Sequence, residues 1–129
     1  MPGEAFEELV AIMARLRAPG GCPWDREQTL KDLGRYLREE ADETAKAIEE
    51  GDLAHVCEEL GDLLFNVIHA ARIAEEQGAF DIGRVVEGAR TKIIRRHPHV
   101  FGDAKATTTE EVLAHWERVK AEERRAKGS

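Results

Sequence analysis

At 129 residues the chain has room for one hydrophobic core but not for two independent ones, and its 35% charged against 5% aromatic residues suit amphipathic helices better than strands. The formal net charge of −7 argues against a nucleic-acid backbone or an anionic membrane as the main partner, and an anionic substrate would need a bridging cation. Cys22 and Cys57 lie outside any CxxC spacing, as expected of reduced thiols in a cytoplasm, and the first 17 residues have the apolar run of neither a signal peptide nor a membrane span.

Start and stop signals predict five helices. The first covers residues 4–17 and is closed by Ala18, Pro19, Gly20 and Gly21. Asp25 then reads as an N-cap, with Gln28 in the reciprocal position of a capping box, opening a long helix to about residue 50 that Gly51 stops. Asp52 caps a third helix running to Gln77, before Gly78. The fourth opens at Asp81, with Phe80 and Val85 as a hydrophobic staple, and Pro98 ends it near His97. After a loop over 99–106, Thr108 and Glu111 form another capping box for a last helix to about residue 125, with 126–129 a frayed tail. Short connections between such helices predict an all-α antiparallel bundle of four to five helices, a single domain over 1–129.

At about 100° per residue, Leu30, Leu33, Leu37, Ala41, Thr44 and Ile48 share a stripe on the second helix, with Glu40 and Glu43 along its flank. On the third, Val56, Leu60, Leu63, Leu64, Val67, Ala71 and Ala74 face inward, while Glu59, Asp62 and Asn66 share a flank. Packed antiparallel, the two helices would bring four carboxylates together, an unfavourable arrangement without a cation. Hard oxygen ligands suit Mg²⁺, with Mn²⁺ as a substitute. On spacing alone, an ordinary solvated acidic face explains these pairs equally well. No Glu-x-x-His and no His/Cys cluster points to iron or zinc.

These residues fall within five blocks: GCPWD at 21–25, EEADE at 39–43, EELGD at 58–62, KIIRRHPHVF at 92–101, and the segment 116–120. In that order, over nearly the whole chain, they resemble the MazG-type nucleoside triphosphate pyrophosphohydrolases of the all-α superfamily. The resemblance implies that Glu40, Glu43, Glu59 and Asp62 hold Mg²⁺. It also implies that a nucleoside triphosphate (NTP or dNTP) is cut between the α and β phosphates to a monophosphate and pyrophosphate. Asp42 departs from the bulkier residue of many relatives, and its outward direction spares the metal site. Some relatives carry two such domains in tandem where this sequence has one, which leaves open any role of a second.

Glu39 is the candidate general base, with Asn66 a second partner behind the ligands. Lys92 and Arg96 fall near the apolar stripe Ile82, Val85, Val86, Ala89 and Ile93 and are assigned to triphosphate oxygens; Arg95, turned outward, is a weaker candidate. Trp24 either stacks on the base or plugs the bundle end, and His97 and His99 either order a phosphate loop or finish a helix. Phe65 and Ile68 give the third helix a second apolar face, which predicts a homodimer or homotetramer. The alternatives are a relative specialised for dUTP, dCTP or phosphoribosyl-ATP, and a non-catalytic acidic interaction module. The sequence does not select base or sugar, and clearing nucleotide pools and lowering a signalling nucleotide both stand open as roles.

Overall fold

The computed structural model describes residues 1–128 and is all-α: among the described residues there are seven helices and no strand. They are α1 (Pro2–Arg17), α2 (Pro23–Glu27), α3 (Leu30–Glu50), α4 (Leu53–Glu76), α5 (Ile82–Arg96), α6 (Pro98–Phe101) and α7 (Thr109–Gly128). No helix among the described residues is long and apolar enough to cross a membrane.

The chain divides into two compact units, the first comprising Met1–Ile82 and the second beginning at Gly83. The first is organised by the α3–α4 hairpin. Thr29 starts α3 with a full capping box, its hydroxyl accepting from the Asp32 N–H while Asp32 accepts from the Thr29 N–H. Gly51 stops α3 in the left-handed region (φ 80°), where a side chain would be strained, and Asp52 accepts from the His55 N–H to start α4. The predicted Asp25–Gln28 capping box is therefore not the start of the long helix. Asp25 lies within the short α2, and Gln28 ends it with its own side chain turned back to donate to the Trp24 carbonyl.

Met13, Leu33 and Ile68 are fully buried at the centre of this unit, beside Ala47, Ala71, Ile73 and Ala74. Two predicted stripes are rotated. On α3 the buried residues are Leu33, Thr44 and Ala47, whereas Ile48 is 59% exposed, so the inner face has turned toward Glu40. On α4 Glu59 is buried, and Leu60 and Leu64 stand 50% and 41% exposed. The Thr44 hydroxyl lies 2.8 Å from the Glu40 carbonyl and 3.4 Å from that of Glu59, which sets the two helices in register at the carboxylates.

In the second unit α5 has no buried residue, so the stripe Val85, Val86 and Ile93 is exposed rather than inward. Side chains at the end of α5 and just beyond it reach α7: Arg95 and Arg96 contact Glu123, and His97 meets Trp116 edge-on at 5.4 Å. The Thr108 hydroxyl accepts from the Glu111 N–H as predicted. The loop over 99–106 yields its first residues to α6, and α7 continues helical through Gly128 where a frayed tail was expected; Ser129 lies outside the described residues.

Candidate metal centre and cation pocket

Glu40 and Glu43 follow each other by one turn on α3, and the tight turn at 51–52 returns α4 so that Glu59 comes opposite them. Each of the three carboxylates offers an oxygen within 4.8 Å of the others. Glu59 is buried, Glu40 half-buried and Glu43 exposed, giving a graded opening from core to solvent. Glu40 Oε1 and Glu59 Oε2 are both buried without a hydrogen-bond partner. Oxygens left so in a protein interior are costly unless an ion or water takes them up, so this donor set fits a hard divalent cation.

The electrostatics agree. Burial, and then the neighbouring Glu59 and Glu43 carboxylates, push the Glu40 carboxyl up to about 8. Glu59 moves the other way, held below the ordinary range by the neighbouring Glu40 carboxyl and by His55, whose Nε2 lies 3.2 Å from Glu59 Oε1. The pair thus keeps a proton that a divalent cation would displace. A cavity of about 220 Å³ opens here, lined by Glu43, Lys46, Glu50, His55 and Glu59.

Asp62, one turn beyond Glu59, is exposed and stands outside the three-carboxylate cluster. Glu39 is exposed as well, near Arg35. Asn66 donates to the Tyr36 carbonyl at 3.5 Å, linking α4 to the turn of α3 that precedes Glu40. Trp24 is 53% exposed and lies 5.5 Å from the Tyr36 ring, so it does not plug the end of the bundle. The second unit has a pocket of about 400 Å³ lined by Lys92, Arg95 and Arg96 from α5 and by Glu123 and Lys127 from α7. Arg95, which the helical wheel turns outward, lines it alongside Arg96.

The MazG nucleotide pyrophosphohydrolase domain family matches residues 28–101, more than half of the chain. The chain belongs to this family. Its relatives include a nucleoside triphosphate pyrophosphohydrolase of Escherichia coli, 47% identical over 95% of this chain and 47% of the relative. Another is the nucleoside triphosphate pyrophosphohydrolase/pyrophosphatase MazG of Thermotoga maritima, 48% identical over 98% of this chain and 48% of the relative. The chain spans about half the length of these curated relatives. Among solved structures, a mazG-related protein from Thermotoga maritima superposes with a TM-score of 0.75 at 30% identity, covering 89% of this chain and 98% of that one.

The matched MazG segment contains Glu40, Glu43 and Glu59 together with Lys92, Arg95 and Arg96, and leaves Trp24 and all of α7 outside. His55, Tyr36 and Glu123 were not singled out from the sequence. His55 sits four residues before Glu59 on one helix, a spacing that could have drawn attention to it. Glu123 had no such signal, because its partners lie 27 and 28 residues away.

Proposed function

We propose that the chain is a Mg²⁺-dependent nucleoside triphosphate pyrophosphohydrolase, with Mn²⁺ as a substitute, that cuts between the α and β phosphates. The observation that carries this reading is the pair of buried, unpartnered oxygens on Glu40 and Glu59 beside Glu43, in a chain of the MazG family. Glu40, Glu43 and Glu59 would hold the ion, with Asp62 as a fourth ligand and Asn66 fixing the α3 backbone beside them. A bound ion supplies neutralisation of phosphate charge and polarisation of the bond to be broken.

The remaining steps fall to the chain's own residues. Glu39 takes the proton from a water as its oxygen bonds to the α phosphorus, and the bond to the bridging oxygen breaks to release pyrophosphate. Lys92 and Arg96, joined by Arg95, bind triphosphate oxygens. Trp24, half-exposed beside Tyr36, offers an aromatic face to the base. The proposal includes a single functional domain over 1–129, a cytoplasmic setting and a symmetric homodimer or homotetramer.

The test is release of pyrophosphate from a panel of NTPs and dNTPs with Mg²⁺. Release that Glu43→Gln abolishes is the expected result. No release from any member of the panel, together with no Mg²⁺-dependent nucleotide binding, would overturn the reading in favour of a non-catalytic acidic module.

A further inference from the structure

The cation pocket of the second unit carries a feature that phosphate recognition alone does not require. In a chain of net charge −7, Lys92, Arg95, Arg96 and Lys127 surround it with four cations against the carboxylates of Glu122 and Glu123. Glu123 is the hub. Its Oε2 accepts from Arg95 Nε at 2.8 Å and from Arg96 Nε at 3.4 Å, while Oε1 accepts from Arg96 Nη2 at 3.0 Å. Arg96 is therefore gripped along its Nε–Nη2 edge and Arg95 by Nε alone, which leaves Arg96 Nη1 and both Nη nitrogens of Arg95 outside this contact.

We propose that Glu123 is a positioning residue that gathers Arg95 and Arg96 into one forked cation, presenting their remaining N–H groups to phosphate oxygens in the pocket. The inference rests on the assignment of Arg96 to the triphosphate. Two guanidinium groups brought to one point repel each other, and a carboxylate between them offsets that repulsion while fixing both planes. Glu123 suits the task. Its side chain is only 16% exposed, and the two arginines, Arg96 foremost, hold its carboxyl down to about 2, so it stays ionised at any working pH. Long side chains lose rotamer freedom when they bind an anion, and arginines already held in place lose less.

The experiment is titration calorimetry of the full chain with inorganic tripolyphosphate in EDTA, which removes any contribution from the metal centre. Glu123→Ala is expected to weaken binding about tenfold, comparably to Arg96→Ala, and the double variant to add little to Arg96→Ala alone. Glu123→Asp is expected to recover part of the loss, and with NTP and Mg²⁺ the KM rises while kcat changes little. If Glu123→Ala binds as tightly as wild type, or tighter, while Arg96→Ala binds weakly, the carboxylate is a spectator or a competitor and the inference falls alone. A loss of thermal stability without a loss of binding also overturns it. If Arg96→Ala binds normally too, the assignment of the arginines to the triphosphate falls with it. Should Glu123→Ala fail to fold, the isosteric Glu123→Gln is read in its place by the same criteria.

Discussion

A carboxylate in line with Leu37 and Thr44 on the inner side of α3 must either give up its charge or acquire a cation. Glu40 is in that position, with one oxygen buried and unpartnered and its carboxyl raised from 4.5 to about 8. Between those two values the folded chain keeps a proton that the unfolded chain has released. Without divalent cations, stability should therefore fall as pH rises through this window. Thermal unfolding at pH 5 and pH 8 checks the sign. Mg²⁺ is expected to raise Tm at pH 8 by about 3–6 °C and to do little at pH 5. Glu40→Gln should flatten the pH dependence and abolish the Mg²⁺ effect; a Tm at pH 8 indifferent to both Mg²⁺ and Mn²⁺ would refute the metal assignment. Glu39, exposed on the same helix, is tested separately. Glu39→Gln should lower turnover by about 10²–10⁴-fold with Mg²⁺ affinity retained, and an unchanged rate would remove it from the chemistry.

The break between α2 and α3 marks where local reading of the sequence stops working. Asp25 and Gln28 have the spacing of a capping box, yet the cap that forms is Thr29 with Asp32, four residues later. Arg17 decides between them from another helix. Its Nη1 donates to the Asp25 and Gln28 carbonyls that a continuous helix would have used internally, and its Nε and Nη2 grip Glu76 of α4, each at 2.9 Å. Buried His69 completes the corner, with Nε2 3.3 Å from the Asp25 carbonyl. Caps at Asp52 and Thr108 and the stop at Gly51 were readable because each is made within four residues; the start at Thr29 was missed because this corner depends on Glu76, 59 residues from Arg17. Arg17→Ala removes the guanidinium from both carbonyls, of which that of Asp25 keeps the Gln28 N–H, and also frees Glu76; it should lower unfolding stability by about 2–3 kcal/mol in urea titrations. Loss of Arg17 with no change in the urea midpoint would mean that the corner closes without it.

Rotation of helices about their own axes is what periodicity leaves undetermined, and it bears on the whole assembly. α4 is apolar over much of its circumference, so Leu60 and Leu64 competed with the Glu59 side for the inner face. Phe65 and Ile68, read as a spare face for a partner, are accounted for within the chain: Ile68 is 1% exposed, near Val10 of α1, and Phe65 is half-buried. On the α3–α4 hairpin the exposed apolar residues include instead Leu53, Leu60 and Leu64 at 79%, 50% and 41% exposure, with exposed Cys57 on the same stripe and Ile48 of α3 exposed at 59%. Leu53, Cys57, Leu60 and Leu64 are spaced by four, three and four residues, the seam a second helix packs against. We assign the proposed self-association to this stripe of α4 rather than to the face first expected. Sedimentation of the wild-type chain should give a mass of two or four copies, and Leu60→Glu with Leu64→Glu should reduce it to one while the helical circular dichroism persists. Because the two leucines are 50% and 41% exposed in the single chain, where a charged head can reach water, the double substitution should not unfold it. A wild-type mass of one copy would leave the stripe unexplained and end the oligomer proposal.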